Sequence, residues 1–242
     1  MSLRINSLVR RIPHIIVGLI VLFLVGCLVK VAIWEHVYYS EKEGSTRHSI
    51  VEVGVTAPDV QEVDETEVTT EQVKAHTVPS DHPRYLIGTF MNKTMGVNAK
   101  VNIFDVGLTS SGAMATRASI FEIAWYRDSS KPGYGGTVLI NGHNSGPTKR
   151  GVFDYLQDVK KGDIITIERG DGLLFDYEVY DIESLLIAEA NAYMPNMMQS
   201  PVPGKESLSL ISCTGEWSQN QRTHLSRIMV RAVLVENAPI ED

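Results

Sequence analysis

Three polar side chains, each at or near the end of an apolar, strand-like run, form a set that could carry out acyl transfer. Cys213 ends the run SLISC, Arg227 follows fourteen residues later, and His143 lies upstream in the run NGHNS. A thiolate can attack a carbonyl carbon, an imidazole can move protons, and a guanidinium can stabilise the negative charge that develops. These residue types are the minimum set for chemistry that passes through a thioester.

The cysteine content limits what Cys213 can do. The chain has two cysteines in 242 residues, and the other, Cys27, lies in an apolar N-terminal run. Cys213 therefore has no disulfide partner in the part of the chain that follows that run. The sequence has no zinc-type cysteine and histidine spacing and no glycine-rich phosphate loop, so we expect neither a metal nor a cofactor. A formal net charge of −7 argues against a nucleic-acid partner.

The alternation of apolar residues predicts how Cys213 and Arg227 are oriented. In a strand over residues 208–213, Leu208 and Leu210 share one face and Cys213 points to the other. In a strand over residues 228–235, Ile228 begins the buried face, so Arg227 also points away from the core. We expect a cleft with the thiol and the guanidinium at neighbouring strand ends. The pattern alone leaves open a half-buried structural cysteine and a surface arginine.

The run at residues 15–34 predicts a membrane-spanning signal anchor. It has 20 residues, about the length of a helix that crosses a bilayer, and Lys30 is its one charged residue. Residues 1–14 form a basic leader with three arginines, and glutamates follow the run. We therefore expect a single-pass protein of the cell membrane with a cytoplasmic N-terminus and an extracellular remainder. Residues 24–27 also fit a bacterial lipobox in which Cys27 would carry lipid, but the apolar run continues beyond Cys27 and favours the anchor.

The remainder divides into an acidic stalk, one folded domain and a short tail. Residues 35–80 show no lasting helical or strand period and few large apolar residues, which predicts a flexible extracellular stalk. Residues 81–236 consist of short apolar runs separated by turn residues, a pattern typical of a mainly β barrel or sandwich. Residues 237–242 are the tail. A short helix is expected at 151–158, and the candidate strands are 85–90, 99–104, 137–141, 164–169, 173–185, 208–213 and 228–235.

These motifs resemble those of the sortases, the membrane-anchored cysteine transpeptidases of Gram-positive-type bacteria. The run SLISC is similar to the family's TLxTC, with Ser209 and Ser212 in place of the two threonines. The run NGH resembles the segment that ends in the family's catalytic histidine, and Arg227 with Val230 resembles its RxxV strand. The similarity covers about residues 82–236, including VNAKV at 97–101, IAWY at 123–126 and GVFDYL at 151–156.

The resemblance implies an eight-stranded closed β-barrel with short helices and a catalytic set of His143, Cys213 and Arg227. Cys213 would cleave an LPxTG-like sorting signal of a secreted protein after its threonine and form a thioester. An amine of a peptidoglycan precursor or of a pilin lysine would then displace the enzyme. His143 would protonate the leaving amine and accept a proton from the incoming one, whereas Arg227 would hold the substrate backbone or the oxyanion. With no charged partner evident beside His143, only a fraction of the enzyme would carry thiolate and imidazolium together.

Four further residues are expected to contact the sorting signal. The loop before the cysteine strand shapes the substrate groove in sortases, and here residues 188–205 are rich in methionine. Flexible methionines suit an apolar slot, although they could equally pin the loop to the barrel. The expected contacts are Met194, Met197 and the two residues before the cysteine, Ile211 and Ser212.

Alternative assignments stay open at this point. His224 and Arg222 are rivals to His143 and Arg227, but they lie in a polar loop without the strand context. An L,D-transpeptidase would carry His-Gly directly before its cysteine, where this chain has Ile211 and Ser212. A papain-like hydrolase usually has its cysteine before its histidine. The last alternative is an anchored binding domain that has lost activity.

Overall fold

Eight strands close into a barrel. The computed structural model describes Gly54 and residues 63–235. Its strands are β1 (Pro83–Gly88), β2 (Val101–Val106), β3 (Ile123–Tyr126), β4 (Thr137–Gly142), β5 (Ile164–Arg169), β6 (Leu174–Leu186), β7 (Ser207–Ser218) and β8 (Thr223–Leu234). They follow the order β1-β2-β3-β4-β7-β8-β6-β5, and the pairing of β5 with β1 closes the barrel. With short helices α1 (Thr70–Ala75), α2 (Asn92–Met95) and α3 (Ile187–Met197), this confirms the predicted mainly β, eight-stranded closed barrel.

The parallel pairing of β4 with β7 brings two distant motifs to one end of the barrel. Parallel strands need a long crossover connection, and here β5, β6 and α3 lie between the two strands in sequence. Asn141 lies opposite Ile211 in the shared register. His143 and Cys213, each two residues further along, therefore follow at the same end.

The barrel interior contains the apolar faces that strand alternation predicts. Leu208, Leu210 and Ile228 are buried there with Trp125 and Ile140. Each fully buried aliphatic side chain contributes about 1.5–3 kcal/mol relative to an exposed one. The interior face of β7 and β8 is thus fixed by packing, so Cys213 and Arg227, each an odd number of residues from these interior side chains of its own strand, lie on the opposite face.

Helix α3 covers part of the outer face where we expected a loop. Its side chains Ala190, Met194 and Met197 pack on Leu139 and Ile211 of β4 and β7. The sequence IAEANAYMPNM is rich in helix-forming residues, and the three buried side chains follow the i, i+4, i+7 spacing of one helical face. The methionine-rich segment is therefore a helix over residues 187–197, and turns follow it.

Three other local predictions differ from the structure. Strand β3 was not predicted, because all four of its residues are buried and it shows no alternation. The predicted helix at 151–158 consists of turns that end in a 3₁₀ turn, Leu156–Asp158. Strands β7 and β8 extend beyond Cys213 and Arg227 into a polar hairpin, so these residues lie within their strands and not at strand ends.

The described part of the predicted stalk packs on the barrel. Helix α1 begins with a capping box between Thr69 and Gln72. The Tyr85 hydroxyl donates to the Val73 carbonyl at 2.6 Å, and His76 Nε2 bonds the Ile103 carbonyl at 2.9 Å. The expectation of a flexible stalk up to residue 80 is therefore wrong for residues 63–80.

The remaining N-terminal predictions lie outside the described residues. These are the leader at 1–14, the anchor at 15–34 with Cys27, the stalk before residue 63 apart from Gly54, and the tail at 237–242. Within the part of the chain that the structure describes, no helix has both the length and the apolar character needed to cross a membrane.

Candidate active site

Cys213 and Arg227 lie directly opposite each other on adjacent antiparallel strands. The register of β7 and β8 pairs the two residues. Both lie on the outer face, as predicted, because Leu208 and Leu210 of β7 and Ile228 of β8, each an odd number of residues away, are buried in the barrel interior. One strand residue beyond this pair, a bulge between Thr214 and Trp217 bends the hairpin. Gly215 in the bulge has φ 76°, which a glycine adopts without strain.

Arg227 is a buried cation and not the surface charge that was one alternative. Arg227 is 3% exposed. The Nη1 atom donates to the carbonyls of His224 and Ser226 at 2.8 and 2.9 Å, and Nη2 donates to Thr223 Oγ1 at 3.2 Å. Within residues 63–235 no carboxylate forms an ion pair with it, whereas Arg231 of the same strand pairs with Asp181. Its positive charge is therefore not neutralised by an acidic partner in the described chain.

The Cys213 thiol is free and partly buried. Burial raises its pKa above the ordinary value, and this effect outweighs two opposing ones, the charge of Arg227 and a hydrogen bond with the Thr223 side chain. The thiol is therefore mostly protonated at neutral pH.

His143 is held by a main-chain carbonyl. Its Nε2 lies 2.7 Å from the Arg117 oxygen. A carbonyl only accepts hydrogen bonds, so we assign the hydrogen to Nε2, which leaves Nδ1 as the nitrogen that gains and loses a proton. Burial lowers the pKa of His143, and the bond to the carbonyl opposes that shift. At neutral pH the imidazole is mostly neutral.

A second hydrogen bond fixes the segment that carries this carbonyl. Asn141 Nδ2 donates to the Ala115 oxygen at 3.1 Å. Asn141 and His143 are two residues apart, as are Ala115 and Arg117, so the end of β4 is tied at two points to the segment 115–117. The Arg117 side chain in turn pairs with Glu122 at 2.9 Å. The segment that carries the Arg117 carbonyl is thus held by β4 and by the Arg117 side chain, and the carbonyl orients the imidazole.

Comparison with known proteins identifies the fold. A family profile described as the sortase domain matches residues 94–235, more than half of the chain. The chain belongs to the sortase family. Sortases are cysteine transpeptidases, so the protein is an enzyme of that kind, as its sequence motifs predict. No curated protein matches the chain.

Solved structures of other sortases are similar to this sortase at low sequence identity. Sortase C-1 from Actinomyces oris is 19% identical, with a TM-score of 0.50 over 84% of this chain and 99% of that one. Sortase C-1 from Streptococcus pneumoniae is 14% identical, with a TM-score of 0.51 over 81% and 87%. A lid mutant of sortase A from Corynebacterium diphtheriae is 22% identical, with a TM-score of 0.48 over 71% and 79%.

The four residues expected to contact substrate are buried in this sortase. Met194 and Met197 lie on the face of α3 that packs on β4 and β7, and they are 2% and 0% exposed. They therefore hold the helix on the barrel and do not line an open groove. Ile211 is 2% exposed in the same cluster. Ser212 is 3% exposed, and its hydroxyl donates to the Gly142 carbonyl at 2.8 Å. All four side chains are thus covered in this structure by α3 or by the neighbouring strands.

The two rival residues lie in the β7–β8 hairpin. His224 Nδ1 bonds the Gly215 carbonyl at 2.8 Å, and its Nε2 bonds the Asn144 side-chain amide at 3.2 Å. The first bond joins the two strands of the β7–β8 hairpin, and the second joins the hairpin to Asn144, the residue after His143. Arg222 is exposed in the hairpin turn with φ 52°.

The sequence interpretation missed an N-terminal contribution to the site. The Glu65 carboxylate accepts hydrogen bonds from the backbone N–H groups of Thr148 and Lys149 at 2.7 and 2.8 Å and from the Thr148 hydroxyl. Asp64 pairs with Ser119 in a short bridge. Residues 63–67, the N-terminal arm, thus contact the loop that follows His143 and also Ser119, which lies two residues after Arg117. Its acidic composition suggested a solvated spacer, so no sequence signal marked these contacts.

Proposed function

We propose that this sortase cleaves an LPxTG-like sorting signal with Cys213 as nucleophile, His143 as acid and base, and Arg227 as the oxyanion-stabilising cation. The observation that carries the proposal is the cross-strand pairing of a free thiol with a buried arginine that has no acidic partner in residues 63–235. A cation that is already bonded and desolvated needs little rearrangement when negative charge develops beside it.

The first half-reaction forms a thioester. The Cys213 thiolate attacks the carbonyl carbon of the threonine, and the new oxyanion is stabilised by Arg227. Two of the five guanidinium N–H groups are not used in its internal bonds and suit that role. As the tetrahedral intermediate collapses, the C–N bond breaks and His143 Nδ1–H protonates the departing glycine amine.

The second half-reaction transfers the acyl group to an amine. Neutral His143 accepts a proton at Nδ1 from the incoming amine, which attacks the thioester carbonyl and expels the Cys213 thiolate. The acceptor we propose is an amine of a peptidoglycan precursor or a pilin lysine. Cys213 and His143 then return to the thiolate and imidazolium forms, with no net gain or loss of protons.

The pKa directions imply a small active population. The pKa of Cys213 is raised and that of His143 is lowered. At any pH between these two pKa values, most of the enzyme therefore carries the neutral thiol and the neutral imidazole. The reactive thiolate with imidazolium is a minor protonation state whose fraction is constant across that interval.

We also propose that residues 15–34 anchor the enzyme in the cell membrane, with residues 1–14 in the cytoplasm and the barrel outside the cell. The apolar length and the flanking charges support this arrangement. Secreted proteins with a sorting signal would reach the barrel at that surface.

The direct test is capture of the acyl-enzyme. The full chain, purified in detergent, is mixed with a library of LPxTG-like peptides and followed by intact mass spectrometry. We expect an adduct of the peptide up to its threonine that is released by added amine. The Cys213→Ala variant should form no adduct. A folded enzyme that forms none across the library, or an adduct that survives in Cys213→Ala, would contradict the proposal.

A further inference from the structure

We propose that His224 is a positioning residue, which holds the strand of Cys213 and the segment of His143 at a fixed separation. This role rests on the proposed function, because the separation matters only if the thiol and the imidazole of His143 act together. The observation behind it is a pair of side-chain hydrogen bonds, one across the β7–β8 hairpin and one from the hairpin to Asn144.

The bond to Asn144 holds the site where strand pairing no longer does. The register of β4 and β7 ends two residues before His143 and Cys213, so the ladder alone does not set how far apart these two side chains lie. The His224 Nε2 atom is 3.2 Å from Asn144 Nδ2 and links the hairpin to the residue that follows His143. In sequence, the ladder precedes the proposed reacting residues and this bond follows them, so the two segments are joined on both sides of the site.

His224 is also bonded to the cysteine strand and to Arg227. Its Nδ1 atom lies 2.8 Å from the carbonyl oxygen of Gly215, two residues after Cys213 in the bulge of β7. Its own carbonyl oxygen accepts a hydrogen bond from Arg227 Nη1 at 2.8 Å. Trp217, its partner across the hairpin, packs edge-on against the imidazole with 5.3 Å between ring centroids. These contacts fix the orientation of the imidazole ring.

The two ring bonds use the whole hydrogen-bonding capacity of a neutral imidazole. The Gly215 carbonyl only accepts, so we assign the hydrogen to Nδ1. Nε2 then has a lone pair and accepts from the Asn144 amide. Neither nitrogen can take part in proton transfer without the loss of one bond. The geometry therefore supports a positioning role for His224 and not the role of a rival base.

Two amide substitutions separate the two bonds of His224. The side chain in His224→Asn places its amide near the position of Nδ1, where it can bond the Gly215 carbonyl, but it is too short to reach Asn144. The longer side chain in His224→Gln reaches the position of Nε2 and can accept from Asn144. We expect His224→Asn to lower kcat/KM about tenfold, mainly through kcat, and His224→Gln to stay within about threefold of the parent enzyme.

The test is steady-state transpeptidation by the full chain in detergent with the peptide that forms the acyl-enzyme. Gln221→Ala, at the exposed turn of the same hairpin, is the control and should retain the parent activity. Equal losses in His224→Asn and His224→Gln would overturn the positioning role, since a base or a general disturbance of the hairpin would explain them. A parent enzyme with no activity toward any peptide of the library would instead overturn the proposed function on which the role depends.

Alkylation of Cys213 gives a second measurement that does not need His143. In the full chain with Cys27→Ser, Cys213 is the one remaining cysteine, and its modification by iodoacetamide at pH 8 is followed by intact mass spectrometry. We expect equal rates for the parent enzyme and His224→Asn, because alkylation needs only the thiolate. A loss of alkylation as large as the loss of kcat/KM would overturn the role, because the substitution would then have disturbed the cysteine strand itself.

Asn144→Ala removes the other partner of the same bond and keeps the test decisive if His224→Asn does not fold. Thermal unfolding identifies the folded variants. We expect Asn144→Ala to lower kcat/KM about as much as His224→Asn does, and the double variant to lose no more than either single one. Unchanged activity in Asn144→Ala, or additive losses in the double variant, would overturn the role.

Discussion

The Nε2 atom of His143 lies 2.7 Å from the main-chain oxygen of Arg117, so a residue 26 positions away in sequence orients the proposed acid and base. That carbonyl accepts the hydrogen bond of Nε2–H and leaves Nδ1 for proton transfer. It also favours the imidazolium, against the effect of burial. A backbone group therefore has the position that a carboxylate occupies beside the histidine of a serine protease triad.

Loss of the amide that anchors this segment should weaken the histidine. Asn141→Ala removes the bond to the Ala115 carbonyl, so segment 115–117 can shift and the Arg117 oxygen holds His143 less firmly. We expect kcat/KM to fall about tenfold, because small errors in orientation cost catalysis, and the acidic limb of the pH profile to move lower. Asn102→Ala, which truncates a buried asparagine of β2, is the control. An unchanged acidic limb in Asn141→Ala would argue against this positioning role.

The guanidinium of Arg227 should be required for chemistry. Arg227→Lys keeps the charge but loses the planar fork that bonds Thr223 and two carbonyls. We expect kcat/KM for the peptide to fall by a factor on the order of 10² to 10³. Arg231→Lys alters the other outward arginine of β8, which pairs with Asp181, and should retain most activity. Equal losses in the two variants, measured in steady-state assays, would contradict a specific role for Arg227.

Transpeptidation and alkylation should depend differently on pH. Transpeptidation needs the thiolate and the imidazolium together, so its rate falls with decreasing pH below the lowered pKa of His143, under 6.5. It falls with increasing pH above the raised pKa of Cys213, over 9.0. Between these limits kcat/KM should be flat, whereas alkylation, which needs only the thiolate, should rise about tenfold per pH unit. Parallel profiles for the two reactions would show that thiolate formation alone limits both.

The N-terminal arm should support activity through Glu65. Glu65→Ala removes the acceptor of three hydrogen bonds from the loop that follows His143, so we expect kcat/KM to fall about tenfold. Its neighbour Glu67 forms a single exposed pair with Lys149, and Glu67→Ala should have little effect. The Thr148 and Lys149 bonds lower the pKa of Glu65, so its contribution persists at neutral pH and is lost only below its ordinary value of 4.5. Comparison of the two variants in the peptide assay checks this assignment.

The methionines of α3 should affect stability more than substrate binding. Met194→Ala leaves a cavity between the helix and the outer face of β4 and β7, and we expect the free energy of unfolding to fall by about 2–5 kcal/mol. The KM for the peptide should change little, since the side chain is 2% exposed. Asn196→Ala, on the exposed face of the same helix, is the control in urea unfolding. A large rise in KM with unchanged stability would restore the groove-lining interpretation.

The local sequence determined the strands of the site and the faces of its residues. Alternation depends on neighbours along one strand, so Leu208 and Leu210 identify the interior and place Cys213 on the outer face without knowledge of the rest of the chain. The order and spacing of the motifs around His143, Cys213 and Arg227 were sufficient to indicate the family. Strand β3 was not predicted, because a strand buried on both faces shows no alternation of apolar and polar residues.

Only the tertiary structure decided which groups act on those residues. The contacts of His143 with Arg117 and of Glu65 with Thr148 join positions 26 and 83 residues apart, and no local pattern encodes such separations. The side chain of Arg227 is buried and bonds Thr223, and α3 buries the methionines because it folds back on the outer face. The sequence alone indicated the side chains that we propose to react, whereas barrel closure and packing set their burial, their pKa directions and their partners, because those properties depend on atoms that are close in space but distant along the chain.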